Sequence, residues 1–266
     1  MTLLAANCSP ALLALLEREP DLVDLVKMYP RTLLAHQDAL RGLYQAGRIL
    51  LHGLVQTSSP GDDRFAGEFD PHSLLQAIKL AGSRYLSVHL GYPAMDLEAV
   101  GADIVLERIV ADVRILEATT LLPVHLENEP VGVPALGQPA FPAFTGDPRF
   151  ISRVVDAAGC QFLLDLAHAQ VTSWYRGETV GDYLSWLPLD RVEEIHISGP
   201  AVVDGVLDDW HEEIGGEGYE LLRWALHRCR PRVLTLEYGG MREQDQIRSD
   251  PGALRRQMGR LRELLD

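Results

Sequence analysis

In Leu163-Leu164-Asp165-Leu166-Ala167-His168 a flat apolar run ends on a carboxylate and an imidazole. The run lacks strict alternation, as expected of a parallel strand covered on both faces. The same reading extends in both directions. Strands are expected at Leu3–Asn7, Leu22–Met28, Ile49–Val55, Tyr85–Leu90, Val124–Glu127, Phe162–Leu166, Val192–Ile197 and Val233–Tyr238. Helix-period stretches lie between them, at Ala35–Ala46, Pro71–Ala81, Leu97–Thr119, Pro148–Ala158, Tyr219–Cys229 and Pro251–Leu265. Asp70, Asp147 and Asp250 each precede a proline, placing a cap ahead of a first-turn Pro.

Eight strand-and-helix units in this length predict an α/β fold, a (β/α)8 TIM barrel, which typically takes about 250 residues. A doubly wound open sheet is the alternative, but no G-x-G-x-x-G opens a helix after the first strand. No composition shift or Gly/Ser linker divides the chain, so residues 1–266 are expected to form one domain. The segment Pro130–Gly146 is rich in Pro and Gly and follows the fifth strand. On a barrel it would lie at the catalytic face, where it could serve as a lid.

The 266 residues are 47% hydrophobic and 23% charged, ordinary values that exclude disorder and fibrous repeats. Thirty-eight acids oppose 24 bases for a formal charge of −14, and Lys27 and Lys79 are the lysines. That balance argues against nucleic acid as a partner. Cys8, Cys160 and Cys229 show no paired spacing, which fits reduced thiols in the cytoplasm. No signal peptide or membrane span is expected.

Polar residues gather where the strands end. His52 ends the third, His89 the fourth and Glu127 the fifth. Asp165 and His168 end the sixth, His196 the seventh and Glu237 the eighth, while Asp209 and His211 follow the seventh strand in its loop. In a barrel these ends share one mouth. Imidazoles and carboxylates together are the ligands that zinc, manganese and non-heme iron prefer. Nine exceed what one ion needs, so two or three divalent metals with shared carboxylates are expected. His36, His72 and His227 fall on helices and are expected to be solvated, whereas His125 is expected opposite Leu126, either on the side of Glu127 or away from the mouth.

The order of these nine, with Asp-x-x-His at 165 and 168 and Asp-x-His at 209 and 211, resembles the endonuclease IV, or xylose-isomerase-like, barrel superfamily. The flanks are similar to the multinuclear non-heme iron-dependent oxidases, a former domain-of-unknown-function family that includes the methanobactin-biosynthesis oxidase. The matching pieces are Leu126-Glu127-Asn128, Leu163-Leu164-Asp165-Leu166, Glu194-Ile195-His196-Ile197-Ser198-Gly199, Asp209-Trp210-His211 and Leu236-Glu237-Tyr238. Ala167-His168 departs from the Asn-Asn that many members carry there.

The resemblance implies an oxidoreductase that uses iron, or else zinc or manganese, to modify a small or cysteine-containing peptide substrate. It implies one metal on His52, His89 and Glu127. A second would share Glu127 and add Asp165, His196 and Glu237, and a third would take His168, Asp209 and His211. Asn128 and Glu129 would orient ligands, and Lys27, Tyr29, Tyr175 and Arg176 could reach a substrate carboxylate. The alternatives are an endonuclease IV-like phosphodiesterase and a sugar isomerase or epimerase. A metal store is a further class, disfavoured if a coordination position stays open.

Overall fold

The computed structural model describes residues 1–91, 101–130, 144–241 and 249–265. Its elements run β1 (Leu3–Asn7), α1 (Pro10–Leu16), β2 (Leu25–Met28), α2 (Pro30–Ala35), α3 (Arg41–Gln45), β3 (Ile49–Leu51) and α4 (Phe65–Glu68). Next come α5 (Pro71–Ala81), β4 (Leu86–His89), α6 (Ala102–Thr120), β5 (Val124–Glu127), α7 (Pro148–Ala158), β6 (Gln161–Asp165), α8 (Leu166–Arg176) and α9 (Val180–Ser185). The chain continues through β7 (Val192–Ile197), β8 (Gly199–Val203), β9 (Val206–Glu212), α10 (Gly216–Leu226), β10 (Val233–Leu236) and α11 (Pro251–Leu265).

Eight parallel strands form one sheet in the order β3-β2-β1-β10-β7-β6-β5-β4. The two ends of that order meet at one bridge, His52 to Ser87, so the sheet is a nearly closed barrel. Ser87 carries this seam. Its carbonyl accepts the Gly53 amide at 2.7 Å and its hydroxyl donates to the Leu51 carbonyl at 3.3 Å. The expected barrel, and not the alternative open doubly wound sheet, is the architecture.

Side chains alternate along each strand. Leu4, Leu234, Ile195 and Leu164 sit side by side in register and pack outward into the main core with the helices. The intervening row, Ala5, Thr235, His196 and Asp165, turns inward. The floor of the barrel is apolar, built from Ala5, Leu50 and Val233. Above it every inward position that follows on β5 and β7, and on β10 and the residue after it, is polar: His125 and Glu127, Glu194 and His196, Thr235 and Glu237.

The expected caps form. Asp70 accepts from the Ser73 amide, Asp147 from Arg149 and Asp250 from Ala253, each ahead of its proline. Other boundaries move. The expected helix Ala35–Ala46 is two short helices, α2 and α3, because Pro30 supplies a first-turn residue directly after β2. Leu33 and Leu40 bury one stripe across the break. The expected Tyr219–Cys229 helix instead spans Gly216–Leu226. Gly218 is what permits this start, since a Cβ there would stand 2.9 Å from Ile214 Cγ2. The strands expected at Leu22–Met28, Ile49–Val55, Tyr85–Leu90, Phe162–Leu166 and Val233–Tyr238 are shorter or shifted by a residue. The Pro130–Gly146 segment lies outside the described residues over 131–143, as does the start of the expected Leu97–Thr119 helix over 97–100. Among the described residues no helix is long and apolar enough to cross a membrane.

Candidate metal centre

The nine expected residues come together at the C-terminal mouth of the barrel. His52 follows β3, His89 ends β4, Glu127 ends β5, Asp165 ends β6, His196 lies near the end of β7 and Glu237 follows β10. His168 is not on a strand: it sits in the first turn of α8, whose N-cap is Asp165. Asp209 and His211 are not in a loop either. They lie on β9, the second strand of an antiparallel hairpin with β8 that packs against α8.

Three groups of side chains place ligand atoms within 4.8 Å of one another: His52, His89 and Glu127; Glu127, Asp165 and His196; and Asp209, His211 and Glu237. Glu127 belongs to two of them. Its Oε2 lies 3.3 Å from Nε2 of both His52 and His89, and its Oε1 lies 3.1 Å from His196 Nδ1. The third group takes Glu237 where the sequence reading placed His168. His168 stands beside it, with Nε2 3.4 Å from Asp209 Oδ2.

Hydrogen bonds behind the mouth aim the imidazoles. The Asn128 carbonyl can only accept, so the 2.7 Å contact with His168 Nδ1 puts the proton on that nitrogen and leaves Nε2 facing Asp209. The Ser87 hydroxyl is committed to Leu51, so His52 Nδ1 donates to it at 3.0 Å and Nε2 faces the cluster. The Asn128 side chain clasps the Asp165 backbone, donating to its carbonyl and accepting its amide, both at 2.9 Å. Ser198 donates to Asp209 Oδ1 at 2.5 Å.

The electrostatics divide the cluster. Burial raises Glu127 well above the usual carboxylate range and Asp165 to about 7. Burial also lowers His52 and His89, and nearby Lys27 lowers His52 further. Across the mouth the pairs win. Burial opposes the shift of His211, yet Asp209 raises it to about 9. Burial likewise opposes the shift of Glu237, but Lys27 and then His211 hold it down to about 2.

This donor set fits a divalent cation. Glu127 Oε2 and Asp165 Oδ2 are buried and receive no hydrogen bond, an arrangement disfavoured unless a cation lies among them. Mixed nitrogen and oxygen donors suit zinc, iron and manganese alike. The buried His, Asp and Glu clusters are consistent with a metal-binding active site. A cavity of about 230 Å³ opens over them, lined in part by Cys8, Tyr29, Arg31 and Met241.

Other expected contributors are elsewhere. Tyr175 donates to the Leu207 carbonyl at 2.9 Å and Arg176 pairs with Glu178, so neither reaches the centre. Lys27 is buried beside Glu194 and Glu237 and contributes to the lining of the cavity. Glu129 stands at the edge, 3.9 Å from His89 Nε2. His125 is buried below the ligands, stacked on Tyr85 with ring centroids 4.0 Å apart. His36, His72 and His227 are exposed. Glu194 was missed, although its place two residues before His196 on one strand puts both on the same face.

Comparison with known proteins agrees with this picture. Residues 15–246 match the family described as RiPP precursor modification enzyme MbnB/TglH/ChrH. A UPF0276 protein of Bordetella pertussis is 30% identical over 191 residues, 64% of each chain. One from Streptomyces avermitilis is 25% identical over 162 residues, covering 60% of this chain and 31% of that one. The chain spans only about a third of the length of the first relatives it matches, 31% to 38% in the first four.

Among solved structures, the IOLI protein with a bound zinc atom superposes with a TM-score of 0.65 at 14% identity, over 99% of this chain and 98% of that one. Endonuclease IV from Thermus thermophilus gives 0.59 at 20% identity, over 98% and 99%. The 3-keto-D-glucoside 4-epimerase YcjR from E. coli gives 0.59 at 15%, over 99% and 100%. At those identities the likeness concerns the fold, a xylose-isomerase-like and endonuclease-IV-like barrel. By the match across most of its length, the chain belongs to the RiPP precursor modification enzyme family MbnB/TglH/ChrH.

Proposed function

We propose that the chain is a multinuclear metal-dependent oxidase, iron being the preferred metal, acting on a ribosomally made peptide that presents a cysteine thiol. The observation that carries this reading is the sharing of Glu127 between two of three ligand groups, on a chain of this family. His52, His89 and Glu127 would hold one ion, Glu127, Asp165 and His196 a second, and Asp209, His211 and Glu237, with His168 alongside, a third. When bound, the metals would supply an open position for the thiolate and the electrons for dioxygen chemistry. The chain's own part is to place the donors, and the walls of the mouth limit the water around them. Asn128, Ser87 and Ser198 fix donor directions from behind the mouth. Residues 1–266 act in this reading as one barrel domain, in the cytoplasm.

A second reading is a metal-dependent sugar epimerase or a phosphodiesterase. The solved structures favour it, since their names are those of epimerases and an endonuclease on the same barrel. The charge of −14 weighs against a nucleic-acid substrate. One preparation, loaded anaerobically with iron, zinc or manganese, should be assayed three ways: oxygen uptake with a cysteine peptide, ketose epimerisation and abasic-site DNA cleavage. Iron-dependent oxygen uptake with a mass change on the peptide supports the oxidase. Epimerisation or DNA cleavage without oxygen uptake overturns it.

A further inference from the structure

Glu194 is fully buried on β7, one inward position below His196, and belongs to none of the three ligand groups. Its Oε2 accepts the Tyr85 phenol at 3.0 Å. Its Oε1 accepts the Thr235 hydroxyl at 3.0 Å and lies 3.0 Å from His196 Nε2. Tyr85, Thr235 and His196 thus reach this carboxylate from three separate strands or strand starts, and Thr235 is the register partner of His196 across β10 and β7. The carboxylate has two oxygens and both are pinned.

Carboxylates face both ring nitrogens of His196, Glu127 at Nδ1 and Glu194 at Nε2, so a metal on Nδ1 would leave Nε2 as the nitrogen that carries the hydrogen, with Glu194 to accept it. The lone pair of Nδ1 is then left toward the mouth, where Glu127 Oε1 lies at 3.1 Å, Glu237 Oε1 at 3.4 Å and Asp165 Oδ2 at 3.8 Å. An isolated buried carboxylate would be strongly disfavoured. The Lys27 ammonium, itself 1% exposed, answers that charge from 3.7 Å, reaches Glu237 at 3.5 Å and contacts both nitrogens of the His196 ring, Nε2 the more closely.

We propose that Glu194, pinned by Tyr85 and Thr235 and neutralised by Lys27, is a positioning residue that turns His196 so that Nδ1 faces the metal centre. The inference rests on the metal-centre reading above. It assigns to Glu194 and Lys27 a role beneath the ligands, not among them. Carboxylates behind a ligating imidazole are worth about 10–100-fold in metal affinity.

The test uses Glu194→Met, which removes the acceptor, and Glu194→Gln, which keeps an amide oxygen for Nε2–H. Zinc affinity is measured by chelator competition, and cobalt-loaded protein is followed by its visible absorption, with thermal melting as the control for folding. Glu194→Met should lose about 10–100-fold in affinity for one ion and shift the cobalt bands. Glu194→Gln should recover part of both. A folded Glu194→Met with affinity within twofold of wild type and unchanged bands overturns the proposal. If Glu194→Met does not fold, Tyr85→Phe combined with Thr235→Val loosens the same carboxylate and should weaken binding several-fold; unchanged binding in that variant overturns the proposal equally. A wild-type protein that takes up no divalent ion overturns the metal-centre reading itself, so the two failures are distinguishable.

Discussion

The Asp165 carboxylate accepts the backbone N–H of His168 at 2.7 Å, so the residue that ends β6 also caps α8. The strand passes into the helix with no intervening loop. One carboxylate therefore sets the helix axis and, through it, the place of the His168 ring beside Asp209.

That double duty separates two substitutions. Asn caps a helix about as well as Asp, whereas Ala loses about 1 kcal/mol. Asp165→Asn should leave the metal-free protein as stable as wild type or slightly more so, since it also removes a buried carboxylate. Asp165→Ala should be less stable than Asp165→Asn by about 1 kcal/mol. Both should bind metal more weakly. Urea unfolding of metal-free protein checks the first part; equal stability of the two variants would show that the cap is unimportant.

Glu127→Ala should lose more than one equivalent of metal, because its two oxygens face different ligand groups. Elemental analysis after anaerobic loading reads this directly. Retention of full metal content would remove Glu127 as a bridge.

Metal-free protein should melt at lower temperature as pH rises from about 6.5 to 9. The folded state holds the His211 proton to about 9 against an ordinary 6.5, so the stability it contributes is complete below 6.5 and lost toward 9. His168 is raised in the same direction, burial opposing and Asp165 favouring the shift. Asp165, raised by burial to about 7 from 3.8, loses its proton at the start of this window and acts in the same sense. Bound metal should reverse the slope, because the ligands must shed these protons to bind it. Melting curves at several pH values, with and without zinc, test both signs.

Gly61→Ala should destabilise by about 1–3 kcal/mol. Gly61 has φ +97°, and a Cβ there would stand 2.5 Å from the Gly91 carbonyl oxygen and 2.6 Å from Ile109. Its amide donates to the buried Asp112 at 2.9 Å, docking the segment after His52 onto α6. Thermal unfolding of the metal-free variant measures the loss.

Much of the site is legible because a barrel strand presents its last inward residue to the mouth. His52, His89, Glu127, Asp165 and Glu237 need only the strand ends to be placed. Asp209 and His211 were legible as site residues but not as strand residues. The signal was present in Asp204-Gly205, both at positive φ, a two-residue turn between apolar pairs. It was obscured because β8 and β9 stand outside the eight-strand rhythm. Glu194 escaped for a different reason. Its neighbours Tyr85, Thr235 and Lys27 come from distant parts of the chain, and only the barrel register brings them together.

The seam at Ser87 has a mechanical consequence. Seven of the eight joints in the ring are ladders of several residues, and the joint between β3 and β4 is a single rung. His52 and His89 stand on either side of that joint, their Nε2 atoms 3.3 Å apart. An ion gripped by both would act as a rivet across the weakest joint. Emptying the centre should then let the cylinder breathe there first, with amide exchange at Gly53 quickening before that of the opposite wall.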